Sequence, residues 1–148
     1  MAFRYKLEAI LRLRNSIERQ EEQRLLAIAS TVARLRAEIV RHDENRLHEK
    51  REAFEELKMG ASGAVLQFMA MCEVASEERR NRLLRTLKEC EEKRLEQMAV
   101  YRKARQKREI LASLRERQKY SHDLEHSRHV QQDVDEAFLF RGLFPKED

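Results

Sequence analysis

The chain has 148 residues, 39% of them charged, with a formal net charge of +4, no Trp, three Gly and a single Pro. A sheet protein needs more turn residues than this, and a bilayer-crossing helix needs about 18 uninterrupted apolar residues, which occur nowhere in the chain. Disorder is disfavoured in turn, because apolar residues recur at regular helical steps and Pro, Gly and Ser are scarce.

The first predicted element is a helix over about residues 4–58. Phe3, Leu7, Ile10, Leu11, Leu13 and Ile17 open it at helical spacing, and the charges at Arg4, Lys6, Glu8 and Arg12 exclude a secretory leader, so a cytoplasmic protein is expected. Farther on, Leu25, Ile28, Val32, Leu35 and Ile39 follow the alternating steps of three and four that mark a coiled-coil seam. The next seam residue, Leu47, comes eight positions later, which implies a local change of winding.

Residues 59–63 form the predicted turn. Gly60 suits the left-handed position that closes a helix, and Ser62 offers an oxygen to the free amides of the next one. A reversal near Ala61 sets residues opposite each other when their numbers total about 122. Val32, Leu35, Ile39, Leu47, Phe54 and Leu57 then face Cys90, Leu87, Leu83, Ala75, Phe68 and Val65, and every mate is apolar. The expected architecture is all-α: one coiled-coil domain over 1–148, built as a long two-helix antiparallel hairpin.

The second helix is predicted over about 64–141 and outruns the first. Its overhang beyond about residue 119 carries Tyr120, Leu124, Val130, Val134, Phe138, Leu139 and Phe140, and Val134, Phe138 and Phe140 are its candidate docking residues. This stripe either meets a partner or folds back on the hairpin. A tail over 142–148 follows, with Gly142 expected as a left-handed helix stop and Leu143, Phe144 and Pro145 beyond it. Cys72 and Cys90 lie roughly 27 Å apart along one helix, too far for a disulfide.

Charge gathers at one end of the expected hairpin. Eight basic residues between Arg102 and Lys119 face Glu109 and Glu116 alone, and the pairing places them beside Arg4, Lys6, Arg12, Arg14 and Arg19. Such a collar attracts an acidic partner or a polyanion and is salt-sensitive. A nucleic-acid-binding coiled coil is one reading of it, although no base-reading module accompanies the belt.

Catalytic signatures are missing. There is no glycine-rich phosphate loop and no nucleophile elbow, so neither an enzyme nor a cofactor is expected. His122, Asp123, Leu124, Glu125 and His126 fit an H-x-x-E-H pattern, and His129 extends the same face. A peptidase also needs a third ligand from another element and a dry cleft, so adventitious metal binding is the most that pattern supports.

The opening Phe3, Tyr5, Leu7, Glu8, Ile10, Leu11, Leu13, Arg14 and Glu18, the turn followed by Gln67 and Phe68, and the late Gln132, Asp133, Val134, Asp135 and Glu136 resemble the FliJ family, coiled-coil components of flagellar type III export. The resemblance implies a stalk-like fold and insertion of the end bearing both termini into the hexameric export ATPase FliI. Arg12, Arg14, Arg105, Arg108 and Arg115 are the residues expected to meet that ring. It further implies contact with the export gate protein FlhA through Phe68, Cys72 and Ala75, a stripe from which Arg79 departs. Export chaperones are further expected partners, at the cytoplasmic face of the inner membrane. A virulence-secretion stalk of the same type is the alternative.

Overall fold

The computed structural model describes residues 2–143. Two long helices, α1 (Glu8–Lys58, 51 residues) and α2 (Gly63–Leu143, 81 residues), pack against each other, and no strand occurs among the described residues. Phe144 and Pro145, part of the expected apolar tail, lie outside those residues. Contacts divide the chain into two units, one from the N-terminus to Glu18 together with Lys103 onward, the other Arg19–Arg102.

Between the helices, Gly60 has φ +91°, the one left-handed residue of the described chain. Its amide donates to the Leu57 carbonyl oxygen at 3.2 Å and closes α1. Ser62 starts α2: its carbonyl oxygen accepts from Val65 and Leu66 N–H at 3.1 and 3.2 Å, and its hydroxyl lies 3.4 Å from Val65 N. Each helix end therefore has local partners for amides or carbonyls that would otherwise be orphaned.

In the Arg19–Arg102 unit, the core is the middle of the seam. Val32 is 2% exposed, Leu35 and Ile39 are buried, and Leu83, Leu87 and Cys90 are half-buried. Polar contacts run along the same pair of elements. Glu21 meets Gln97, Arg36 meets Glu91, Asp43 meets Arg80 and Arg46 meets Glu77, so partner numbers fall along α2 as they rise along α1.

Toward the turn, the expected apolar mates are not enclosed. Leu47, Phe54, Leu57, Val65 and Phe68 are all exposed. Two helices alone give each seam side chain only one neighbouring element, and the Arg46 and Lys50 side chains with Glu73 and Glu77 occupy the adjoining space.

The other unit has a different beginning from the one expected. α1 starts at Glu8 instead of near residue 4, because the segment before it turns inward. Tyr5 is 5% exposed, its hydroxyl donates to the Leu111 carbonyl oxygen at 3.1 Å, and its own carbonyl accepts from Glu8 N–H at 3.2 Å. One residue thus fills the packing layer and caps the helix. Leu11 and Ala104 are buried in the same unit. Gly142 does not act as the expected stop: it is helical, without a positive φ, and α2 runs through Leu143. Glycine adopts a left-handed turn only where its surroundings select one, and helical φ is equally open to it.

Candidate partner-binding surfaces

The arginines expected at a partner ring are not equivalent. Arg108 donates from Nε to Glu18 Oε2 at 2.6 Å and from its NH2 to Glu18 Oε1 at 3.1 Å, a two-pronged clamp between α2 and α1. Arg115 pairs with Glu8 across the same two elements at 3.3 Å, and Arg105 with Glu109 on its own helix at 2.9 Å. Arg12 lies 3.9 Å from Glu8 with its side chain 80% exposed, and Arg14 is half-buried. Arg108 therefore serves first to hold helices together, whereas Arg12 presents charge to solvent. The local excess of positive charge remains, but much of it is already faced by carboxylates.

Phe68 and Cys72 line an open groove of about 610 Å³ with Ala53, Phe54 and Leu57 of α1. Phe68 is 67% exposed and Cys72 is a free, exposed thiol. Lys58 Nζ sits 4.8 Å from the Phe54 ring centroid, a cation–π contact at one edge. Ala75 continues the stripe on α2 but borders a neighbouring hollow of about 550 Å³, with Arg41, His42 and Arg79. The three residues expected to meet one partner thus share a helix face and look onto two hollows. The first is apolar; the second is charged, and Arg79 belongs to it.

Polar side chains from both helices line these hollows. Arg80 grips Asp43 from Nε at 2.8 Å and from its NH2 at 3.3 Å, and this hydrogen bonding holds the Asp43 carboxyl below its ordinary range. Glu73 is lowered likewise, first by the Arg46 hydrogen bond and then by Lys50, and Arg46 is raised by Glu73 and Glu77. Ser76 Oγ lies 3.3 Å from His42 Nε2, while His42 Nδ1 is 3.7 Å from Asp43 Oδ1. That order of Ser, His and Asp imitates a nucleophilic triad. Yet 3.7 Å is beyond a hydrogen bond and the Asp43 oxygens are committed to Arg80, so the cluster is a structural clamp.

Sequence reading missed this polar cluster, although a signal for it exists. The eight-residue step between Ile39 and Leu47 spans His42, Asp43 and Arg46, the α1 residues that enter it. A skipped apolar step marks where polar side chains replace the seam.

The histidine pattern does not converge. His122 meets the Phe3 ring in a tilted contact, ring centroids 5.6 Å apart and planes 59° from parallel, and its Nδ1 lies 3.3 Å from Asp123. Among the described residues no group of three or more His, Cys, Asp and Glu side chains could hold a metal ion. Val134, Phe138 and Phe140 are exposed, as is every residue from Asp123 to Leu143. No described helix is long and apolar enough to cross a membrane.

No protein-family model matches the chain, and neither does any curated protein or solved structure.

Proposed function

We propose that this chain is a non-enzymatic stalk or adaptor of a bacterial flagellar export apparatus, similar in plan to FliJ-family proteins. Its form in this reading is an antiparallel two-helix coiled-coil hairpin with α2 extending beyond α1. The observation that carries the reading is the reversed order of contacts between the helices, from Glu21–Gln97 to Arg46–Glu77. Two helices so paired make an element suited to transmitting contact between partners, and the hollows beside Phe68 and Ala75 are open to solvent.

The end bearing the N-terminal segment enters the ring of a FliI-like ATPase, using Arg12, Arg14 and Arg105, with Arg108 and Arg115 bracing the helices behind them. The groove beside Phe68 and Cys72, continued by Ala75, meets a FlhA-like gate. A shaft of this kind favours whichever ring conformation it contacts best and so shifts the ring's population. The site of action is the cytoplasmic face of the inner membrane, with export chaperones as further partners. A stalk of a virulence secretion system has the same mechanics. Nucleic-acid binding has less support, since no base-reading module accompanies the basic belt.

The test is the ATPase rate of the hexameric export ATPase at low ionic strength, with the wild-type chain and with a variant carrying Arg12→Glu, Arg14→Glu and Arg105→Glu. Wild type is expected to stimulate turnover and the variant to lose most of that stimulation while keeping its helicity. Equal rates with both chains would sink the ring contact.

A further inference from the structure

We infer that one face of α2 near its C-terminal end is a self-association surface, on which a second copy of this chain docks antiparallel. Tyr120, Leu124, Val134 and Phe138 are 72%, 42%, 57% and 77% exposed, and with Ser127 and Gln131 they follow the alternating four and three steps of a coiled-coil seam. Leu111 and Arg115 mark the side of α2 that meets the N-terminal segment and α1. Tyr120, nine residues after Leu111, lies roughly 180° around the helix from it, so a partner helix approaches from the open side.

The seam is its own complement when read backwards. A two-fold axis beside His129 sets Tyr120 against Phe138 of the second copy, Leu124 against Val134, and Ser127 against Gln131, so apolar meets apolar and polar meets polar. Along one flank, Val130 meets its own copy at the axis and Asp123 meets Ala137. Along the other, Arg128 meets its own copy, and one layer beyond Tyr120 and Phe138 the seam sets Arg117 against Arg141, so like charges bound the apolar layers at each end and hold the affinity down.

The area is sufficient for a weak, specific dimer. The exposed parts of the eight large apolar side chains from Tyr120 to Leu143 come to roughly 1,000 Å² per copy, and a two-helix contact covers about half of that, so apolar side chains alone bury about 1,000 Å² in total. That is the lower limit for a specific interface, so the dimer is weak and reversible. The inference is independent of the stalk reading, because it needs no export ATPase.

Sedimentation equilibrium on the full chain tests it. The expected result is a reversible monomer–dimer equilibrium that weakens at least about tenfold on Leu124→Glu with helicity retained, and tightens on Arg128→Ala. Arg141→Glu, which turns the like-charge contact with Arg117 into an opposite pair, tightens the dimer, and adding Arg117→Glu reverses that gain. With Cys72 and Cys90 replaced by Ser, a mixture of Tyr120→Cys and Phe138→Cys chains cross-links to each other on oxidation, and neither cross-links to itself. A chain that stays monomeric to about 200 µM leaves the face to a different protein and overturns the inference, and so does a dimer indifferent to Leu124→Glu. Self-cross-linking of the Tyr120→Cys chain means a parallel pair and overturns the register.

Discussion

Arg108 and Glu18 form the closest two-pronged ion pair between α1 and α2, at 2.6 and 3.1 Å, with side chains only 27% and 14% exposed. Charge on Arg108 is therefore spent inside the unit, and its removal leaves a carboxylate with little water around it. Arg108→Ala should lower stability by about 2 kcal/mol, more than an exposed pair yields. Arg108→Lys should recover less than half of the loss, because an ammonium cannot reproduce the fork. Thermal unfolding of both, set beside Glu18→Gln and the double variant, measures the coupling; a double variant whose loss equals the sum of the two single losses would mean the clamp contributes nothing.

The Tyr5 latch should act locally. Tyr5→Phe keeps the ring and loses the bond to the Leu111 carbonyl oxygen, at a cost of about 1 kcal/mol; Tyr5→Ala also empties a buried position, at about 3 kcal/mol. Because the Tyr5 carbonyl accepts from Glu8 N–H, the alanine variant should also fray the first turn of α1. Amide exchange reads this directly: protection at Glu8 and Leu11 drops while that at Val32 and Leu35 stays unchanged. Uniform loss across both stretches would show that Tyr5 supports the whole chain instead.

The seam through Val32, Leu35 and Ile39 is legible in the sequence because only helix-to-helix contact makes apolar residues recur every three and four positions. Apolar character alone did not separate this buried stretch from the open one at Leu47, Phe54 and Phe68, since enclosure depends on how many neighbours an element has, which a single helix's pattern does not encode. Tyr5 was hidden for another reason. It lies between Arg4 and Lys6 in a run that reads as helix, and its burial depends on a contact more than a hundred residues away. The charge excess near Arg105 and Arg115 was plain from composition, but its partial neutralisation by Glu8 and Glu18 depends on which side of each helix they occupy.

Gly60 and Gly63 should respond oppositely to the same change. A Cβ at either would meet no atom within 4 Å, so space does not decide. Gly60 has φ +91°, where an L side chain is strained, and Gly60→Ala should destabilise by about 1–2 kcal/mol. Gly63 begins α2 without a positive φ, and Gly63→Ala should stabilise by about 0.5–1 kcal/mol by restricting the unfolded chain. Differential scanning calorimetry of the two variants should move the transition in opposite directions, and a fall with both would refute the assignment at Gly63.

The Asp43–Arg80 clamp sets an acid limb. Asp43 is held below its ordinary value of 3.8, chiefly by the Arg80 hydrogen bond, so its folded form gives up the carboxylate later than the unfolded chain does as pH falls. The contribution is therefore complete above about pH 5, begins to fall as the unfolded chain starts to bind the proton, and is gone once pH has passed through the folded value as well. Asp43→Asn cannot form the charged clamp at any pH. The gap in melting temperature between wild type and Asp43→Asn should then be constant from pH 7 to about 5 and narrow progressively as pH falls below the ordinary value of 3.8. Glu73, lowered by Arg46 and Lys50, adds to the same limb, so Asp43→Asn should remove part of the acid sensitivity and leave the rest. A gap that does not narrow as pH falls would mean that Asp43 supports the fold by packing and not by its charge.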